Sequence, residues 1–443
     1  KLQREFDKLP KEFFSLGVSV NFYKQLFACF DEQWRREFLE SIRDVVWNKD
    51  ILKSAIGEPV FRTAHLRTVD VEEIQDQFTS VLTGETLLTD FNFGFELPAS
   101  KHFAGFDLTF KVNANSTPST NMHALIGRNG VGKTTLLNAM VKAIARTEDT
   151  SGAFYEISSF ETRAALDYGY FKSLVSVAFS VFDPFDLPPE DGTGRYTYIG
   201  MTEISDGDQG ASLTKSKGNI SSEFLDGLVE CFSEEKKKHR WVAAIKTLES
   251  DRNFAEMNLS NLAELSGDEL MVRASSLFRK MSSGHCIVIL TMTLLVSKVE
   301  ERSLILFDEP EGHLHPPLLS ALIRSLSQLL HSRNAVAIIA THSPVVLQEI
   351  PRTCVWKIFR TRLASEKKRP DTETFGENVG VLTREVFGLE VERSGFHTVL
   401  AELVDRGGSY ENIVKSLNEE LGDEARGILR AMIINRDEAV DLS

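Results

Sequence analysis

The apolar positions of the chain change period several times, and each change marks a new kind of element. In residues 1–87, Phe22, Leu26, Phe30, Trp34, Phe38, Ile42 and Val46 recur every four residues. A step of four drifts by about 40° round a straight helix, so this row would wrap well round the cylinder. Either the segment is buried on several sides or it breaks, with Asp31 as the N-cap of a new helix. A packed helical module is the plain reading, and a partner-docking surface is the sharper alternative. From 89 to 112 the period becomes two. FNFGFEL and FDLTFKV alternate apolar and polar residues around a Pro/Ala/Ser break, which predicts half-buried antiparallel strands. After the polar loop NANSTPSTN, the apolar run Met122 to Ile126 predicts a buried strand. It leads into GRNGVGKTT and then the helix LLNAMVKAIA.

Further on, LVSVAFSVF and RYTYIGM predict two more strands, and the Gly/Ser/Asp/Lys-rich residues 202–220 predict a mobile loop. Residues 221–280 read as helices, with Phe224, Leu228 and Phe232 on one face and Trp241, Ile245 and Leu248 on another. From 281 the order is loop, helix, strand, helix, strand, ending in VAIIATHSP. Residues 361–443 return to helices and loops, with Ile413, Leu417 and Leu421 as one apolar face and Ile428, Leu429, Met432 and Ile433 as another. The expected divisions are a helical module (1–87), a first α/β lobe (88–215), a helical subdomain (216–280), a second α/β lobe (281–360) and a C-terminal helical region (361–443).

Composition narrows the classes. A length of 443 residues exceeds what one core supports and implies several units. The net charge of −14 argues against a protein that coats nucleic acid without sequence preference, although a local basic groove remains open. The densest basic run, KKKHR (236–240), reads as a solvated helix face or as a nucleic-acid contact. Cys29, Cys231, Cys286 and Cys354 have no paired spacing, so neither a zinc site nor a disulfide framework is expected, and a reducing cytoplasm is. CIVILTMTLLV (286–296) is too short to cross a membrane and reads as a buried helix. No secretory leader is apparent. The 30 phenylalanines predict aromatic cores.

Two segments carry the chemistry. Gly127-Arg128-Asn129-Gly130-Val131-Gly132-Lys133-Thr134-Thr135 fits G-x4-G-K-[ST], between a strand and a helix. Its glycines let backbone N–H groups face phosphates, Lys133 reaches the β- and γ-phosphates, and the Thr134 hydroxyl ligates Mg²⁺. In Leu304-Ile305-Leu306-Phe307-Asp308-Glu309-Pro310, an apolar strand ends in two acids. Alone they would read as surface residues. Beside a phosphate loop, Asp308 is the expected Mg²⁺ holder and Glu309 the acceptor of a proton from attacking water. Met281-Ser282-Ser283-Gly284-His285 lies upstream, with Ser282 26 residues before Asp308, and Thr341-His342-Ser343-Pro344 follows, with His342 34 residues after it.

These four segments, in this order, resemble the ATP-binding-cassette ATPases related to RecF, Rad50 and SMC. The strings DEPEGHLHP and ATHSP are more similar to the overcoming-lysogenization-defect (OLD) family. Within it, LPKEFFSLGVSVNFYKQLF, VAFSVFDPF and TFGENVGVLTREVFGLE resemble PtuA ATPases of Septu anti-phage systems and Septu-type retrons. The resemblance implies a P-loop ATPase head with a mixed sheet, an antiparallel β subdomain and helical N-terminal, central and C-terminal additions. It implies ATP and Mg²⁺ as cofactors. It also implies a homodimer, or a higher oligomer, in which Ser282, Ser283 and Gly284 of one copy touch ATP held by Lys133 of another, with His342 as the switch histidine. An HNH effector nuclease like PtuB is the expected partner, with a reverse transcriptase and its DNA–RNA product in a retron. A RecF-like repair ATPase that binds DNA directly is the alternative, and a transporter subunit fits less well.

Three departures qualify the match. Arg128 stands where the family often has Pro, and His285 where Gln or Glu is usual. No glutamine stands near 175–183, where Asp183 is the nearest polar residue. Slow hydrolysis is therefore expected. Glu311, His313 and His315 could be read as a metal cluster, but the resemblance makes them the turn after the catalytic strand. The residues after the core read as helical and too few for the nuclease domain that OLD enzymes carry.

Overall fold

A computed structural model of the chain describes residues 7–59, 61, 78–83, 88–99, 105–145, 152–158, 160–167, 169–179, 195–203, 213–312, 314–361, 364–387 and 395–441. Its strands are β1 (Phe91–Leu97), β2 (Phe106–Val112), β3 (Met122–Ile126), β4 (Ala153–Ile157), β5 (Arg163–Ala165), β6 (Ser173–Ala178), β7 (Tyr196–Gly200), β8 (Thr202–Glu203), β9 (Leu213–Thr214), β10 (Ser303–Asp308), β11 (Val336–Thr341), β12 (Val355–Thr361) and β13 (Ala364–Lys368).

Seven of them form a sheet of order β13-β12-β3-β11-β10-β6-β7. All neighbours are parallel except β12 and β13. The central strands are buried along their whole length, as continuous apolar runs in a covered parallel sheet must be. A second sheet, β2-β1-β4-β5, is antiparallel, and Phe91 pairs with Val112 through to Leu97 with Phe106. The fold is thus a mixed α/β head with an antiparallel β subdomain and helical additions.

Two cores flank the large sheet. One is filled by the antiparallel sheet and the helix Lys133–Ala145. The other takes the helices Lys217–Ser233, Glu235–Leu248, Gly267–Lys280, Ser283–Lys298 and Pro316–Ser332. The helix Ser283–Lys298 is buried on nearly every side, which explains the apolar run read as a buried helix. Its Thr293 hydroxyl accepts from the Trp241 indole at 2.9 Å.

The N-terminal module has its own core of Tyr23, Leu26, Leu39, Val46 and Phe61, among others. The row of apolar residues four apart breaks where expected. Helices Val20–Cys29 and Glu32–Ser41 are separated at Asp31, whose carboxylate accepts from the Trp34 N–H at 2.8 Å. Tyr23 donates to buried Asp44 at 2.9 Å. The module also reaches the α/β head, because Lys236 stacks its ammonium 4.3 Å from the Phe27 ring centroid. Lys237 meanwhile pairs with Glu230 at 3.3 Å. The KKKHR run is therefore partly engaged within the molecule. At the far end, Leu400, Val404, Ile413, Val414 and Leu429 form a fourth core.

Two expectations need correction. Residues 361–443 are not only helices and loops, since β12 runs to Thr361 and β13 continues the sheet. The strand ASEKK carries no alternating pattern because it is a polar edge. The 202–220 stretch is not one loop either. Thr202–Glu203 pairs with Leu213–Thr214, and a helix begins at Lys217.

Candidate functional site

The phosphate loop begins where β3 ends. A Cβ on Gly127 would lie 2.4 Å from the main-chain oxygen of Ile358 on β12, so only glycine fits. Gly130 and Gly132 take φ of +79° and +99°, which L side chains resist. The loop winds round the Lys133 ammonium. Nζ donates to the Gly127 oxygen at 2.9 Å and the Arg128 oxygen at 3.1 Å. Burial lowers the lysine pKa, while the charges of Glu309, Asp308 and Glu311 oppose that shift. Arg128, Asn129, Gly130 and Thr135 face solvent at the rim.

Strand order brings the second segment alongside. Only β11 separates β3 from β10, so the acids at the end of β10 approach the start of the Lys133 helix. Thr134 Oγ1 donates to Asp308 Oδ2 at 2.8 Å. That spacing suits a hard cation, since two ligands of a six-coordinate Mg²⁺ at about 2.0–2.1 Å lie about 2.9 Å apart. The all-oxygen donor pair therefore fits the ion, which would supply charge neutralisation to a bound phosphate. Thr134 and Asp308 would hold it.

Glu309 takes φ of +45°, and its N–H donates to the Ala340 oxygen at 2.8 Å. Its carboxylate lies 3.5 Å from His342 Nδ1, and Glu311 lies closer, at 3.1 Å. Glu311 Oε1 also accepts from Thr341 Oγ1 and from the His342 N–H, both at 2.7 Å. The His342 ring beside it holds the Glu309 pKa down, and the two carboxylates push that of His342 up. An ionised Glu309 can accept a proton, and a cationic His342 can face developing negative charge.

The Ser282 segment lies elsewhere. Among the described residues, Ser282, Ser283 and Gly284 make no hydrogen bond to the Lys133 loop. Ser282 instead caps the helix Ser283–Lys298, and its Oγ is 2.6 Å from His285 Nδ1. His285 Nε2 faces Asp251 Oδ1 at 3.3 Å, and His315 Nε2 faces Asp251 Oδ2 at 3.6 Å.

Protein ea59 of Escherichia phage lambda is 46% identical over 459 residues, spanning 99% of this chain and 86% of that protein. The chain belongs to the ea59 family. The family model AAA_21, described as "AAA domain, putative AbiEii toxin, Type IV TA system", matches residues 263–348. In this ea59 relative those residues run from before Ser282 to beyond His342. Among solved structures, the ATP-binding cassette of an ABC transporter in its ADP conformation is 13% identical with a TM-score of 0.36, covering 69% of this chain and all of that one. The cbiO1 component of the Clostridium perfringens cbiONQ transporter complex is 16% identical with a TM-score of 0.33, covering 59% and 83%. The sheet order, with the phosphate loop after β3 and the two acids at the end of β10, makes the fold of this ea59 relative a mixed α/β P-loop head.

Glu311 lies in the turn after β10, as the sequence suggests, and it also fastens the His342 segment. The signal was the third acid of DEPE, whose partners 30 and 31 residues on cannot be read from spacing. Glu311 and His315 turn to different partners, and His313, like Asp183, lies outside the described residues. The phenylalanines of β1 and β2 pack on one another, with Phe93 and Phe110 both fully buried and their centroids 5.2 Å apart. No helix among the described residues is long and apolar enough to cross a membrane.

Proposed function

We propose that this chain binds and hydrolyses ATP with Mg²⁺, and that nucleotide drives association of two or more copies to regulate a separate effector nuclease in anti-phage defence. The convergence of Thr134 bonded to Asp308, Glu309 paired with His342, and a loop-held Lys133 whose charge is felt by these acids carries this reading. The phosphates of ATP sit against the Gly127–Thr135 backbone and Lys133, with Thr134 and Asp308 on the ion. Glu309 takes the proton of the attacking water, and His342 faces the γ-phosphate. Ser282 and Gly284 of a second copy close the site, and hydrolysis parts the copies. Nucleotide acts as a switch because only the closed state makes these contacts.

A phage-encoded relative, and a family described with a toxin of a TA system, support a place in phage–host conflict. An HNH nuclease is the proposed effector, with a reverse transcriptase and its product as further partners in a retron and the cytoplasm as compartment. Direct duplex binding fits less well, because the basic run 236–240 spends Lys236 and Lys237 on Phe27 and Glu230. Lys133→Ala should abolish nucleotide binding, and Glu309→Gln should keep ATP and accumulate dimers. Parental turnover by Glu309→Gln would remove Glu309 from its role. Purification from the native operon, with identification of what co-elutes, tests the effector.

A further inference from the structure

The hydrogens around Ser282 can be placed one by one from their partners. The Asp251 carboxylate accepts from the backbone N–H groups of Asn253 at 3.0 Å and Phe254 at 3.3 Å, and it is almost fully buried. An ionised carboxylate only accepts. The His285 nitrogen facing it, Nε2, must therefore carry the ring hydrogen. In a neutral ring Nδ1 is then bare, and the 2.6 Å contact can only be a bond donated by the Ser282 hydroxyl. The same oxygen accepts from the His285 N–H at 3.5 Å. Ser282 thus points its hydrogen inward and shows lone pairs outward. A phosphate oxygen needs the opposite.

Asp251, His285 and His315 resemble a metal-ligand set by donor type, with ligand atoms within 4.8 Å of one another. The Leu318 N–H decides against it. It donates to His315 Nδ1 at 3.3 Å as the cap of the helix Pro316–Ser332, which puts the ring hydrogen on Nε2, toward Asp251. Metal-bound histidines instead donate from their other nitrogen. His315, in the segment that follows Glu309, directs its Nε2 hydrogen at the Asp251 carboxylate.

We propose that His285 is a positioning residue which, oriented by Asp251, holds the Ser282 hydroxyl hydrogen inward, so that Ser282 meets the γ-phosphate on a second copy only after this bond is broken or reversed. The functional half rests on the association described under Proposed function. An amide at 285 can donate to Ser282 Oγ, which turns the hydroxyl outward. His285→Gln should tighten ATP-dependent association of the Glu309→Gln chain roughly fivefold, the worth of one hydrogen bond, without changing nucleotide affinity of the separate subunit. In a Ser282→Ala background, His285→Gln should have no further effect. Equal association of the two chains at position 285, or the same gain with Ser282 removed, overturns the functional role.

Nitrogen-15 NMR of the imidazoles in the full-length protein tests the hydrogen assignment directly. A bare, hydrogen-bonded Nδ1 at His285 that shifts on Ser282→Ala supports it, and a protonated Nδ1 at pH 8 overturns it. Stoichiometric zinc in the purified protein, lost on His315→Asn, also overturns it, because Asn retains the helix cap. If Ser282→Ala leaves ATP-driven association unchanged, the association reading falls, while the NMR result still decides the bond.

Discussion

Three glycines of and near the site should fail, or not, for different reasons, and the difference tests the packing argument. At Gly127 a Cβ would sit 2.4 Å from a main-chain oxygen of β12, about 1 Å inside ordinary contact, and β12 is hydrogen-bonded to β3 and cannot yield as a side-chain end would. Gly127→Ala should cost about 1–3 kcal/mol, the range for overpacking a closed site. At roughly 2–4 °C per kcal/mol for a large domain, the ATPase head should melt several degrees lower. Gly130 has open space around it, and its φ of +79° is the only obstacle. Gly130→Asn should therefore be milder than Gly130→Ala, because Asn tolerates left-handed backbone. Gly127→Asn should be at least as harmful as Gly127→Ala. At Gly312 the nearest atom is 3.5 Å away, so Gly312→Ala should be neutral. Differential scanning fluorimetry on the five chains, with fluorescent-ATP titration, decides. Rescue of position 127 by Asn, or equal melting of Gly127→Ala and Gly312→Ala, would refute the crowding argument.

Two other expectations concern proton linkage. Burial raises the pKa of Asp44 from 3.8 to about 6, so the folded module binds a proton that the unfolded chain releases between these values. Its contribution to stability is therefore present in acid and lost as pH rises through about 6, a difference of about 3 kcal/mol. The N-terminal module should gain resistance to urea between pH 7 and pH 5, followed by Trp34 and Trp47 fluorescence, and Asp44→Asn should flatten that gain. At the site, His342 holds the Glu309 pKa down, so His342→Ala should move the acid limb of the turnover profile to higher pH. An unmoved limb would show that Glu309 is not the titrating group.

How much was legible depended on how locally each feature is encoded. The break at Asp31 could be read because one residue both ends a row and caps the next helix. The phosphate loop could be read because φ and crowding demand glycine at fixed offsets. That Thr134 meets Asp308 across 174 residues was inferred only because both segments are recognisable alone. The Asp251–His285–His315 contacts left no trace, since three residues from separate helix starts meet only when the helices pack. Edge strand β13 escaped for the reverse reason, because a polar, exposed strand needs no pattern. The FNFGFEL strand read as half-buried, yet Phe91, Phe93 and Phe95 are enclosed, and even Gly94 is covered by Tyr155.

The stacking of Lys236 on Phe27 has a mechanical consequence. The helix that carries Lys236 ends at Leu248, three residues before Asp251. A protein that grasps the amino-terminal module thereby pulls on a rod whose far end anchors the imidazole relay. Under the proposed switch, docking far from the nucleotide acts on the helix that leads to Asp251, with no contact to the triphosphate at all.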